Sequence, residues 1–312
     1  MNKITQSRGQ IAAVALALTF SGLAASQAEA CACGCGVFNV GAGMLPDGSR
    51  AAFSLDYGFM NQSDNWHGGS SAPASDNNDK DIRTDFITLG AQYRVAKSWI
   101  VSASVPYWNR TFRTDTGAGV ESFHHSAFSD VSLTATWTGL SKDMSIGLIA
   151  GIKLPTGDHS YPNFDPDTAI SSGSTDLILG AYKRGGLNRD GTLHYFAHAV
   201  WQKPLDWRSN YRPGEEVNVA AGVATAGWNL AHDKANLSPV IQLIASVRAR
   251  DHGPDGHPSD SGYERLVLAP GLEFQTEHWR LYGHLALPVY QRVNGNQLTA
   301  PVMFKATLTR NF

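Results

Sequence analysis

From residue 51 onward, apolar and polar or small residues alternate with a period of two in run after run. Ala51, Phe53, Leu55, Tyr57 and Phe59 alternate with Ala52, Ser54, Asp56 and Gly58, and Ile87, Leu89, Ala91, Tyr93 and Val95 alternate with Thr88, Gly90, Gln92 and Arg94. Successive side chains of an extended chain point to opposite faces, so each run predicts a strand with one apolar face. Further runs begin at Trp99, Val131, Met144, Leu177, Leu193, Val217, Leu237, Leu266 and Trp279. The last is Met303 to Phe312, with Phe304, Ala306, Leu308, Arg310 and Phe312 on one face. The pattern predicts about twelve strands. Trp228 breaks the parity of the eighth, which predicts a bulge.

The connections alternate in length. Those after even-numbered strands are short: Ala96-Lys97, Gly139 to Asp143, Gly185 to Asp190, Ala231 to Asn236 and Gln275 to His278. The others, 61–81, 111–126, 155–173, 203–215, 250–262 and a shorter 291–297, are rich in Gly, Asp, Ser and Pro. Outer-membrane barrels pair short periplasmic turns with long external loops in this way. With both termini periplasmic, Tyr93, Trp99, Trp137, Phe274, Trp279 and Phe312 face outward at one rim, the depth that amphipathic rings prefer. The expected fold is all-β, a closed antiparallel transmembrane β-barrel over residues 50–312 with the lipid bilayer as its surroundings. The terminal strand ending in Phe312 resembles the signal by which such barrels are handed to the barrel-assembly machinery.

Composition agrees. Mean hydropathy is −0.22, yet only 17% of residues are charged and 31 are glycine. No stretch after residue 30 is apolar for the roughly 20 residues that a spanning helix needs, so spanning requires a closed barrel. A net charge of −2 argues against nucleic acid as a partner. At the N-terminus, Lys3 and Arg8 precede the uncharged run Ile11 to Ala25, and Ala28-Glu29-Ala30 offers a small-x-small cleavage site. Residues 1–30 read as a secretory signal removed before Cys31, implying Sec export and an outer-membrane location.

Several short motifs stand in order along the strands: Ser104-Val-Pro-Tyr107, Gly147 to Lys153 running into Leu154-Pro-Thr-Gly-Asp158, Gly173-Ser-Thr-Asp-Leu177 with Gly180, Pro288-Val-Tyr-Gln291, and Gly295-Asn-Gln297. Over residues 50–310 the chain resembles the outer-membrane family named for the MetA pathway of phenol degradation, whose members are called transporters. The resemblance implies a barrel and passage of small compounds, often hydrophobic or aromatic. It brings no set of functional residues. Pro155 and Gly157 suit a turn where the fifth strand leaves the membrane, and Asp158 suits a loop cap.

The opposite parity supplies a polar lumen of mixed sign: Asp56, Arg94, Asp130, Lys153, Asp176, His194, His198, Glu216, Arg248, Arg280, His284 and Lys305 are its candidate lining residues. Charges removed from water need partners. The first and last strands adjoin in a closed barrel, so Asp56 and Lys305 are an expected pair. Twelve strands lie between the filled eight-stranded barrel and the open porin, which predicts a narrow or partly plugged passage. His194 and His198 are ~13 Å apart along one strand face, too far to ligate one metal together.

Residues 31–49 are rich in Cys and Gly. Cys31, Cys33 and Cys35 are the only cysteines and candidate ligands for a soft metal such as Cu(I) or Zn(II). A disulfide, or lipidation of Cys31, are the competing chemistries; no cofactor is certain. The segment either hangs in the periplasm or folds into the lumen as a plug. The leading function is a channel or transporter for small solutes. The alternative is a barrel associated with a metal or redox partner through the Cys cluster. An enzyme is not expected: a lipid hydrolase would need a Ser/His pair on the outer face, and no predicted strand carries an outward His.

Overall fold

The computed structural model describes residues 35–46, 48–230 and 234–312. The expected signal peptide, Cys31, Cys33 and the side chain of Cys35 lie outside the described residues. Twelve strands run antiparallel in chain order. They are β1 Ala51–Gln62, β2 Asp79–Ala96, β3 Trp99–Asp115, β4 Val120–Phe128 continued by Val131–Trp137, β5 Ile146–Leu154 and β6 Asp176–Gly186. Then come β7 Leu193–Pro204, β8 Glu216–Thr225 continued by Trp228–Leu230, β9 Ala235–Arg248, β10 Tyr263–Thr276, β11 Trp279–Val293 and β12 Met303–Asn311. Each strand pairs with its neighbours, and β12 pairs with β1 from Ala52↔Asn311 to Met60↔Met303, so no edge is left.

The outward parity is apolar and exposed, as a lipid-facing wall requires: Phe53, Leu55, Leu89, Val101, Leu133, Leu148, Leu179, Ile241, Leu272, Leu285 and Leu308 all project from it. Of the predicted rim, Tyr93, Trp99, Phe274, Trp279 and Phe312 are exposed, with Trp137 half-buried. Phe312 stacks edge-on against Phe53 at 5.9 Å. The Arg310 guanidinium covers the Trp279 and Phe312 rings at 5.2 and 4.9 Å. The backbone N–H of Phe312 donates to Ala51 (2.9 Å), fixing the last residue to the first strand. Among the described residues no helix is long and apolar enough to cross a membrane.

Three expectations need correction. The stretch 111–126 is not a loop: β3 and β4 continue through it as a hairpin paired from Tyr107↔Phe128 to Asp115↔Val120. Phe112 and Phe123, directly opposite each other across the hairpin and packed with Ile82 and Phe164, give it an apolar face of its own. Met144 is not in a strand but in the preceding turn, at φ 54°. The connection after β11 is also structured, since Asn296–Thr299 pairs with Asp64–His67, which pairs with Ser70–Ser71 in a small external sheet. The bulge in β8 lies at Ala226-Gly227: the register moves by one residue between Ala224↔Val240 and Trp228↔Leu237. Gly227 sits at φ +77°, and a Cβ there would come within 2.3 Å of the Leu237 carbonyl oxygen.

Candidate functional site: the lumen and the segment inside it

Residues 35–46 occupy the lumen. Short 3-10 turns span Cys35–Asn39 and Ala42–Met44, and Val37, Val40 and Leu45 are buried against the wall. At the periplasmic end three guanidiniums grip the segment by its carbonyls: Arg94 holds Gly48, Arg184 holds Pro46, and Arg280 holds Leu45 at 3.4 Å. Midway, the Ala42 N–H donates to Gln242 Oε1 (3.3 Å), and Lys305 Nζ donates to the Phe38 carbonyl (2.8 Å). Gly43 packs where a Cβ would lie 3.0 Å from the Tyr282 ring. Phe38 meets Phe86 edge-on at 5.4 Å, and Phe86 meets Trp108 at 4.8 Å. At the upper end Gly36 abuts Glu216 and Asn218, so closely that any side chain at 36 would overlap the Glu216 carboxylate. Glu216 opens β8 at its external end. The segment therefore runs from the periplasmic mouth towards the external loops.

Beside it remains a cavity of ≈ 390 Å³. One wall is a field of small hydroxyl and amide side chains from β1 to β4, including Ser54, Thr88, Gln92, Ser102, Ser104 and Thr134. Towards the external end of the same strands, Phe86 of β2 and Trp108 of β3 pack with Phe38 of the segment, and all three line the cavity. Its charged lining is balanced, with Arg110, Lys153, Arg248, Arg280 and Lys305 against Asp56, Asp130, Asp167, Asp176 and Glu216.

The charges are organised as clusters. Lys153 lies between Asp130 and Asp176 at 3.0 and 2.9 Å. Gln202 donates to Asp176 (2.6 Å), Ser174 to Asp176 (2.7 Å) and Ser172 to Asp130 (3.2 Å). Arg248 bonds Asp251 at 2.7 Å and approaches Glu216 at 3.9 Å, while Tyr263 donates to Glu216 (3.1 Å). Asp56 and Lys305 are 3.6 Å apart, and Thr307 donates to Asp56 (2.5 Å). Asp56, Asp130, Lys153, Asp176, His198, Glu216, Arg248, Arg280 and Lys305 line the cavity. Arg94 and His284 do not: Arg94 sits at the periplasmic mouth and His284 is buried beside Tyr282. His194 shares the inward parity of His198 but is exposed near the periplasmic turn, since the strand there has passed below the segment. Among the described residues no group of three His, Cys, Asp or Glu side chains is arranged to hold a metal.

The external mouth is narrowed by the 155–175 loop, whose own Ile170 is buried at the cavity wall. Leu154-Pro-Thr-Gly-Asp158 fastens this loop to the break in β4. The Gly157 N–H donates to Asp130 (3.1 Å), Thr156 accepts from the Val131 N–H (3.0 Å), and Asp158 pairs with His125 at 2.9 Å. His125 stacks on Tyr161 with ring centres 3.6 Å apart, and the Tyr161 hydroxyl accepts from the Ile170 N–H (2.6 Å). Burial raises the Tyr161 and Asp165 pKa values; for Asp165, His257 opposes the shift and Asp255 adds to it. Arg110, on the hairpin extension, donates to the Thr168 and Ala169 carbonyls and to Thr84 (2.9 Å). Sequence reasoning missed Arg110 because it ended β3 too early. It missed Tyr211, buried in the cavity lining, and Asp251, which bonds Arg248, because both lie in loops that fold inward, a placement no periodicity reports.

With this geometry in view, the protein is a transmembrane β-barrel of the outer-membrane type. No protein-family model and no curated protein sequence matches the chain. Among solved structures, the COG4313 outer membrane channel from Pseudomonas putida F1 is similar at a TM-score of 0.64 and 15% identity, covering 88% of this chain and 100% of that one. The beta domain of the Bordetella autotransporter BrkA is similar at a TM-score of 0.50 and 12% identity, covering 85% of this chain and 100% of its own. At such identities the likeness speaks for the fold alone.

Proposed function

We propose that this protein is an outer-membrane channel for small solutes, reached by Sec export and inserted by the barrel-assembly machinery acting on the strand that ends in Phe312. The observation that carries the reading is the ≈ 390 Å³ cavity left beside the lumen segment, large enough for a small organic molecule and lined along the barrel axis. The solved channel from Pseudomonas putida supports it by shape. The solute class we favour has an aromatic or hydrophobic face and a hydrogen-bonding edge. Phe38, Phe86 and Trp108 offer rings at one level of the cavity, and Ser102, Ser104 and Thr134 offer hydroxyls at the next level along the same wall. This agrees with what resemblance to the phenol-degradation family implies.

Single-channel recording in planar bilayers tests the reading. The expected result is small, discrete conductance steps in the intact protein and much larger steps when residues 35–46 are removed. A barrel that stays silent in both forms would overturn it.

A further inference from the structure

The β3–β4 hairpin sets a histidine on the outer face, where no predicted strand carried one. Tyr107 and Phe128 face each other across the two strands, edge-on at 5.3 Å, and Phe128 is exposed on the lipid-facing side. Side chains two residues further along keep that parity. The next outward pair is therefore Asn109↔Ser126, and the one beyond it Thr111↔His124. His125 takes the opposite parity, against Tyr161 and Asp158. Each step is ~7 Å, so Ser126 sits one step above an aromatic pair that marks the headgroup level.

Four side chains meet there. Ser126 Oγ lies 3.3 Å from His124 Nε2, and His124 Nδ1 lies 3.3 Å from Thr111 Oγ1. These are the contacts of a nucleophile with its base and of the base with an orienting group, at the loose distances usual before substrate binds. With the Nδ1 proton donated to Thr111, Nε2 is left to accept the Ser126 hydroxyl proton. The Asn109 carboxamide oxygen is 3.1 Å from Ser126 Oγ. A carboxamide turned over presents its N–H instead, which frees the hydroxyl for His124.

An oxyanion donor is at hand as well. The hairpin part of β4 pairs with β3 alone, leaving its other edge open. Phe128 turns its carbonyl to that edge, accepting from the Asp158 N–H (3.1 Å), whereas the Ser129 N–H turns to β3 and donates to Pro106 (2.9 Å). Backbone groups alternate between the two edges of a strand, so Ser126, in phase with Phe128, aims its N–H at the open edge beside its own Oγ. Arg83, the register partner of Thr111, lays its guanidinium over the Phe59 ring at 5.2 Å, a cation at the level of His124.

We propose that Ser126 and His124 form a hydrolytic site for the acyl esters of glycerophospholipids at the external surface, with Thr111 as its positioning residue. Ser126 Oγ attacks the ester carbonyl carbon as His124 Nε2 takes its proton, and the developing oxyanion meets the Ser126 N–H. The C–O bond to the glycerol breaks, His124 gives the proton to the leaving oxygen, and the acyl chain stays on Ser126. Water, deprotonated by His124, then releases the fatty acid and restores the hydroxyl. Arg83 meets the headgroup phosphate. The site lies on the outer wall, so it stands apart from the lumen and from the channel reading.

The test uses the full mature barrel in detergent micelles containing phosphatidylethanolamine, with fatty acid and lysophospholipid followed by mass spectrometry. Heat-modifiable gel mobility verifies folding of each variant. The expected result is turnover by the wild type, lower by about 100-fold or more in S126A and in H124Q. T111V should lower kcat by about tenfold at unchanged KM, and T111S should restore it. A fluorophosphonate probe, whose P–F bond is broken by an activated serine, should label Ser126 in the wild type and not in H124Q. The proposal is overturned if the folded wild type releases no fatty acid, if the probe fails to react or maps to another residue, or if S126A or H124Q hydrolyses the lipid as fast as wild type. A T111V kcat equal to that of wild type overturns the role of Thr111.

Discussion

Replacing Lys153 by Met removes the cation between Asp130 and Asp176 and leaves the two carboxylates facing each other. Both are almost fully buried, with side chains 3% and 2% exposed. Two oxygens each about 3 Å from one nitrogen lie within about 6 Å of each other, where unit charges at an effective dielectric of 20 repel by about 3 kcal/mol. Loss of one partner from a buried ion pair costs about 3–5 kcal/mol in general. The lower end is expected here, because Ser172, Ser174 and Gln202 continue to donate to the carboxylates. For a chain of this size each kcal/mol moves a melting midpoint by about 2–4 °C, so K153M should lose about 6–12 °C. The assay is the temperature at which the folded, fast-migrating band disappears from unboiled gels. The triple variant D130N/K153M/D176N, which removes the whole set of charges, should recover most of the loss. If K153M melts within about 2 °C of wild type, or if the triple variant is no better than the single one, the cluster is not an electrostatic latch.

Three further outcomes follow from the same geometry. Substituting Gly41, which sits at φ +114° with its Cβ position 2.8 Å from Gln242 Oε1, by Val should unseat the lumen segment and raise single-channel conductance at unchanged barrel mobility. Deleting Phe312 should lower the yield of folded barrel at least severalfold in outer-membrane fractions, since it removes both the Phe53 contact and the hydrogen bond to Ala51. Burial raises the pKa of Asp165 above that of the unfolded chain; its contribution to loop stability is therefore full below the ordinary carboxylate pKa and is lost as pH rises through the folded value. D165N should make the 155–175 loop more resistant to protease at neutral pH and flatten that pH dependence.

The barrel was legible because a lipid-facing wall forces period two on every strand, and Leu55, Leu148 or Leu285 have nowhere else to point. The Asp56–Lys305 contact was legible for a similar reason: closure makes the first and last strands neighbours, and parity sets both side chains inward. What escaped was written in a different code. The 111–126 hairpin carries Thr111, Arg113, His124 and Ser126 among its apolar positions, so its alternation looks like a polar loop until Phe112 and Phe123 are seen on one face. The motif Leu154-Pro-Thr-Gly-Asp158 and its companions could be read only as turns. Their hydrogen bonds, such as Gly157 to Asp130 across 27 positions, depend on β4 breaking at Ser129.

The lumen segment was the least legible part, because its hold depends on groups far apart in sequence. Arg94, Arg184 and Arg280 each reach it through a backbone carbonyl, a partner that leaves no trace in side-chain patterning. Lys305 grips the Phe38 carbonyl from β12, the strand that closes the barrel. The bond that seats the middle of the segment is therefore completed only when the last strand docks on the first. A segment arriving after closure would have to pass the three guanidiniums at the mouth and climb past Gln242 and Tyr282, with only Gly41 and Gly43 slim enough at those levels. Threading before closure avoids that passage. Assembly with the segment supplied in trans to a barrel already folded without it should thus fail to restore the small conductance steps, whereas co-expression of the two pieces should succeed. Restoration by simple addition would show that the mouth admits the segment freely and that closure by β12 does not set the order.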